Sequence, residues 1–397
     1  MVGVNVLRPS SVPDFTRDVV CVLGLPFDVI SLEQVAARVR SARLSRTPLL
    51  LATANLNFIV AARNNAPFRQ AIIHSQLNLA DGMPIVWVAK LLRVPLPARV
   101  AGSSLFERLQ ESSSEAPVKV FFFGAPDGVA EQACHRVNAL QGGVCCVGYE
   151  SPGFGTVESM SSDDQIRRIN EAQPDFLVVA LGAEKGLAWI ERNFAGLEAP
   201  VVSHLGAVVG MAAGHIHRAP PRWQRWGLEW LWRIKEEPFL WRRYWSDAKV
   251  FSRLLAGSVL PLWWHQVVEG AAARASGVRA TGMTRGGAFH LRLIRVSVDE
   301  GDGEAQSLSS LRAQLASAAA SGLPVVVEAQ DLVHIDGRVL GLLMLLYGHL
   351  RDRSMSFTIQ GVSACLRRQF RWHEALFLLD ADSAVAPTSW GQPREVA

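Results

Sequence analysis

The chain has 397 residues, which at ordinary domain size gives two or three domains. Its 49% hydrophobic and 19% charged content excludes general disorder. Neither a collagen-like pattern nor an uncharged apolar run of about 18 residues is present, which argues against a fibrous chain or a spanning helix.

From the N-terminus, VVCVLGLPFDVI opens with a strand and SLEQVAARVRSARL follows with apolar residues at helical spacing. Further β-rich runs end in LLLATANLN, VKVFFFGAP, GVCCVGYE, DFLVVALGA and APVVSHLGAV, with helical patterns between them. Such alternation predicts an α/β fold built on a mostly parallel sheet with helices on both faces, over about residues 18–214. From 215 to 265 the texture changes to a Trp/Arg-rich helical appendage punctuated by Pro220, Pro221, Pro238 and Pro261. A second small α/β unit is expected over 275–382, reading strand HLRLIRVSVDE, helix SLRAQLASAAASG, strand LPVVVEA, helix GRVLGLLMLLYGHLRDR, strand MSFTIQG and helix VSACLRRQFRWHEAL.

The N-terminal MVGVNVLRPSSVPDF lacks a signal-peptide core. The five cysteines, at 21, 134, 145, 146 and 365, form no disulfide or zinc spacing and read as core thiols in a reducing cytoplasm. No combination of His with Asp and Glu gives a metal spacing, and no GxGxxG or P-loop supports a nicotinamide or ATP cofactor.

In open parallel sheets, ligands sit beyond the carboxyl ends of the strands. Thr53, Asn55 and Asn57 occupy such a place, either as a site or as turn formers and helix caps. Asp81, before Gly82, is either an Asp-Gly turn or a carboxylate facing the cleft, placed to accept a proton from a sugar hydroxyl. Gly124 lies in the turn before a helix start near Gly128, whose free N–H groups suit phosphate, and Gly182 follows DFLVVAL in the same position.

The order T-A-N-L-N (53–57), L-A-D-G-M (79–83), R-V-A-G-S-S-L (99–105), FFFG with GVAEQA, DFLVVALG, and RAPPRWQRWGLEWLWRIKEEPFLWRRY (218–244) resembles the WecG/TagA/CpsF glycosyltransferases. The resemblance implies a Rossmann-like fold and metal-free, inverting transfer of a sugar from a nucleoside diphosphate, UDP by expectation, to a polyprenyl-diphosphate-linked sugar. It implies surface or exopolysaccharide synthesis by a peripheral protein on the cytoplasmic face of the inner membrane. The family's proposed base falls on Asp81, its Thr and Asn on Thr53 and Asn55, and its Arg-x-x-Gly on Arg99 and Gly102. Chemistry adds Arg218, because without a metal the leaving diphosphate needs arginines and helix-start amides. Two family motifs depart here: the usual Gln-Glu pair is Gly186-Leu187, and an Asp position is Gly210. Those losses leave open a weakened homologue that serves as a scaffold or regulator of polysaccharide assembly.

From Arg218 to Trp245 seven Lys/Arg face three Glu, and eight of the 12 Trp lie between 223 and 264. On one helical wheel Trp223, Trp226 and Trp230 share a face beside Arg222, Arg225 and Arg233, as suits an anionic membrane surface. Core packing is the alternative, and nucleic acid is not expected as a partner. Residues 285–380 resemble STAS domains, which implies an interaction module for polysaccharide-assembly proteins. The family's phosphorylatable Ser position holds Asp336-Gly337, so no phospho-switch is expected.

Overall fold

The protein is described from a computed structural model over residues 12–112, 116–268, 276–297 and 303–380. The chain opens with a two-stranded antiparallel hairpin, β1 (Val19–Val22) and β2 (Leu25–Asp28), separate from the main sheet. Helix α1 (Leu32–Ser45) starts on a capping box in which Ser31 and Gln34 satisfy each other's backbone N–H groups. Then come β3 (Leu49–Ala54), α2 (Leu56–Asn64), α3 (Ala66–His74), β4 (Leu77–Ala80), α4 (Met83–Leu91) and α5 (Gly102–Gln110). The second half adds β5 (Val118–Gly124), α6 (Val129–Ala139), β6 (Val144–Glu150), α7 (Asp163–Glu171), β7 (Phe176–Ala180), α8 (Ala183–Asn193), β8 (Val201–His204) and α9 (Gly206–Ala212).

All six strands from β3 to β8 pair in parallel, in the order β4-β3-β8-β7-β5-β6. Their near-continuous apolar runs are explained by burial on both faces: Val120 and Phe122 of β5 enter one core, and Phe121 and Phe123 the other. The chain leaves β3 toward β4 and arrives at β8 from the opposite side. From their carboxyl ends the adjacent strands β7 and β5 connect in opposite directions, β7 to β8 and β5 to β6, so the topological switch point lies between β5 and β7.

The appendage is α10 (Pro221–Arg225), α11 (Glu229–Glu236), α12 (Trp241–Leu254), a π-helical turn at Leu255–Val259 and α13 (Leu260–Val268). Gly227, at φ +72°, and the 3₁₀ turn Pro238–Leu240 break it into pieces, so the single wheel through Trp223, Trp226 and Trp230 does not apply.

The C-terminal unit is a four-stranded sheet, β9 (Ser276–Arg285), β10 (Ala288–Ser297), β11 (Val325–Glu328) and β12 (Phe357–Gln360), in the order β12-β11-β10-β9. Helices Gly303–Ala320, Gly337–Asp352 and Ala364–Trp372 accompany it. Strand β9 is absent from the sequence reading: SGVRATGMTR has few large apolar residues and gains its place by pairing along β10.

Hairpin β1–β2 forms the wall between the two units. Val20 and Val22 face the catalytic core, while Val19 and Cys21 face the core of the C-terminal unit. Gly337, Gly341 and Gly348 form one stripe on the buried helix Gly337–Asp352, and each approaches the N-terminal unit closely. A Cβ at Gly337 would lie 3.0 Å from the Cys21 carbonyl, one at Gly341 3.1 Å from that of Val19, and one at Gly348 2.7 Å from Ile73. Buried Arg17 donates to Asp28 at 2.9 and 2.6 Å and to the Ser75 carbonyl, while the Asn78 N–H donates to Asp28 at 2.6 Å, pinning the hairpin to β4.

The cysteine reading is corrected in part. Cys134 and Cys146 are joined as a disulfide, because α6 folds back along β6 and brings their Cα atoms to 5.1 Å. Cys21, Cys145 and Cys365 remain thiols.

Candidate active site

Adjacent strands β3 and β4 end in register, Ala54 opposite Ala80. The next residues, Asn55 and Asp81, therefore emerge side by side, and the Asp81 N–H donates to the Ala54 carbonyl at 2.9 Å. Gly82, not Asp81, is the N-cap of α4, so the carboxylate is free of that helix and accepts instead from the Gly102 N–H at the start of α5. Only a glycine fits at 102: a Cβ there would lie 2.3 Å from Leu205 and 3.4 Å from Thr53. Thr53 is thereby a buried wall of the site, while Asn55 caps α2 by accepting from the Phe58 N–H at 3.3 Å.

Around Asp81 stand Arg99, Glu229 and Arg218, the last two brought by the appendage. Arg99 grips Glu229 with both terminal guanidinium nitrogens, one of them at 2.9 Å. Arg218 donates to Ser104 at 2.6 Å and pairs with Glu107 of α5. Burial raises the Asp81 pKa to about 6. Arg99, Gly102 and Arg218 oppose that rise, and the like charge of Glu229 adds to it. Glu229 was missed in the sequence; its only signal there was that it is one of three Glu inside the Trp/Arg run.

Asn57 turns away from this group and hydrogen-bonds Asp247 of α12, tying the appendage to α2. Gly124 (φ +102°) ends β5, where a Cβ would lie 2.7 Å from the Ala180 carbonyl. Gly182 starts α8 with nothing within 4 Å of a Cβ position, leaving open space at the carboxyl edge. Among the described residues no set of three or more His, Cys, Asp or Glu is grouped to hold a metal ion.

The appendage lies down on the site. The cavity between them, lined by Ser103, Met211, Arg218, Glu229 and Trp232, measures only about 20 Å³. A wider depression of about 440 Å³ runs along α7, at Asp163, Arg167 and Glu198, and is lined by none of the residues grouped around Asp81.

The sequence matches the model of the Glycosyl transferase WecG/TagA/CpsF family over residues 20–262. The chain belongs to this family. It is a hexosyltransferase, as the family and its named relatives are. It is 30% identical to the N-acetylglucosaminyldiphosphoundecaprenol N-acetyl-beta-D-mannosaminyltransferase of Bacillus spizizenii, over 52% of this chain and 78% of that protein. The enzyme of the same description from Staphylococcus aureus strain MW2 is 25% identical, over 56% of this chain and 85% of its own length. The match ends within the appendage, before the C-terminal unit begins.

Both family departures are filled by packing. A Cβ at Gly186 would sit 2.3 Å from the His204 ring, so the imidazole occupies the space a side chain at 186 would need. His204 donates from Nε2 to the Leu181 carbonyl at 2.6 Å, and burial pushes its pKa down, keeping it neutral. Leu187 is core, Ile216 covers Gly210, and Glu184 accepts from Asn65 at 2.9 Å.

The proposed membrane residues divide. Trp226 and Trp230 are exposed, as is Arg222. Trp223 instead packs edge-on against Trp232, and Arg233 is half-buried against Glu237. The Arg225 side chain lies outside the described residues. Trp87 of α4, 45% exposed, adds a catalytic-domain tryptophan beside Gly227 of the appendage. No helix among the described residues is long and apolar enough to cross a membrane.

Proposed function

We propose that the chain transfers a hexosaminyl residue from a UDP-sugar to a polyprenyl-diphosphate-linked sugar, with inversion, in surface or exopolysaccharide synthesis. One observation carries the reading: the Asp81 carboxylate just beyond the carboxyl end of β4, buried among Arg99, Arg218 and Glu229, with its pKa raised to about 6. The named activity of the relatives supports the acceptor class.

In this reading Asp81 accepts the proton of the acceptor hydroxyl as its oxygen attacks the anomeric carbon from the face opposite the leaving group. The glycosidic C–O bond breaks, and the electron pair leaves on the nucleoside diphosphate. Arg99 and Arg218, with N–H groups at the starts of α6 and α8, steady the growing negative charge. The Gly102 N–H holds the Asp81 carboxylate, Thr53 packs against Gly102, and Gly124 and Gly182 leave room for the donor.

In this reading the Arg99–Glu229 and Arg218–Glu107 pairs part as the substrates bind, freeing both guanidinium groups for phosphate as the appendage lifts. Trp226, Trp230 and Arg222 suit an anionic bilayer as the surface on which it lifts. The C-terminal unit reads as a STAS-like module built onto the enzyme. Incubating the full chain with a panel of UDP-sugars and a short polyprenyl-diphosphate sugar, followed by mass spectrometry, tests the reading. Absence of any mass gain across the panel refutes it.

A further inference from the structure

From α12 through α13 the appendage runs as one continuous helix interrupted only by the π turn. Its exposed large apolar residues are Trp241, Trp245, Leu260, Trp264, Val267 and Val268. At 100° per residue an unbroken α-helix would place Leu260 and Trp264 roughly 100° and 140° round from Trp241. A π turn inserts about one residue, which takes back roughly 90–100° of that phase. Leu260 and Trp264 thus return to the stripe of Trp241 and Trp245. Arg242, Arg243, Lys249 and Arg253 are exposed on the same helix.

The C-terminal unit abuts this helix. Trp372 meets His265 of α13 at 5.3 Å between ring centroids, and Ser258 in the π turn donates to Glu374 at 2.6 Å. The helix Ala364–Trp372 buries Leu366, Gln369 and Phe370, and on its outer face exposes Arg367, Arg368 and Arg371. None of the three side chains pairs with a described residue. Alongside, Gln369 donates to the carbonyl of Val333, itself 51% exposed.

We infer that this arginine face and the phased stripe of α12–α13 form one extended binding surface for an anionic lipid bilayer, so that the C-terminal unit is a second membrane contact. The inference rests on the membrane reading of the appendage. Unpaired guanidinium groups match phosphate headgroups, and aromatic residues beside them suit headgroup depth. Continuity with the appendage favours a bilayer over a protein partner.

The test is co-sedimentation of the full chain with phosphatidylcholine vesicles containing 30% phosphatidylglycerol or none. Replacing Arg367, Arg368 and Arg371 with Gln together should weaken partitioning to anionic vesicles by roughly 100-fold, at about 1 kcal/mol per charge. The triple Lys variant should keep it, and turnover of a water-soluble acceptor should be unchanged in both. Leu260→Ser with Trp264→Ser should weaken binding to either vesicle. Undiminished binding by the Gln triple overturns the inference and leaves the face to an acidic protein partner. If Trp226→Ser with Trp230→Ser abolishes binding while the Gln triple does not, the appendage reading stands and this one falls. Absence of vesicle binding by the unmodified chain removes both.

Discussion

Asp81 offers the sharpest test, because its pKa of about 6 has named contributors. A base must be ionised to accept a proton, so activity should fall as pH drops through about 6. At pH 7 about nine-tenths of the carboxylates are ionised and at pH 5 about one-tenth, a roughly tenfold loss of rate over two pH units. Glu229→Gln keeps the side-chain shape but removes the like charge that raises the pKa. It also loosens Arg99, whose positive charge then acts more fully on Asp81. Both effects favour the carboxylate, so the acid limb should move to lower pH. A shift of one full unit corresponds to about 1.4 kcal/mol and would leave about half the activity at pH 5. Asp81→Asn should lose about 10²–10⁴-fold at all pH values, the usual contribution of a general base. The assay is kcat/KM against pH from 4.5 to 8, which reports the titration of the free enzyme. A flat wild-type profile, or an acid limb that does not move in Glu229→Gln, refutes the assignment.

Gly186→Gln should destabilise the chain by about 1–3 kcal/mol through collision with His204, and His204→Ala in the same chain should recover most of it; additive losses in thermal melts would contradict the interlock. For His74, burial alone would favour the neutral ring, yet Glu191 at 3.2 Å and Asp352 at 2.5 Å raise its pKa to about 10. A folded pKa above the ordinary value means that this contribution is complete below about pH 6.5 and lost as pH rises toward 10. Denaturation between pH 6 and 10 should show a decline that His74→Gln abolishes. A chain ended at residue 275 should aggregate, since Val19, Cys21 and Ile73 lose the core that covers them; a monomeric, active truncation would disprove that dependence.

Much of this protein is written in local pattern. The buried runs of β3, β5, β7 and β8 and the helices between them were legible because a parallel sheet covered on both faces demands unbroken apolar strands. The placement of Asn55 and Asp81 just after strand-like runs followed from the same pattern, whereas Gly102 was singled out only through the family resemblance. Whether those residues were turn formers or a site was not legible, because a cap and a cleft-facing carboxylate use the same side chains. Tertiary structure gives each a different partner: Asn55 caps α2, Asn57 bonds Asp247, and Gly82 rather than Asp81 is the N-cap of α4. Contacts across long separations decided the rest. The Arg99–Glu229 pair, the His204–Gly186 interlock, the Cys134–Cys146 bond and the glycine stripe against β1 each join residues whose proximity depends on the register of packed elements. Sequence spacing fixes which face of an element a residue occupies, whereas the neighbour it meets is set only when the whole chain has packed.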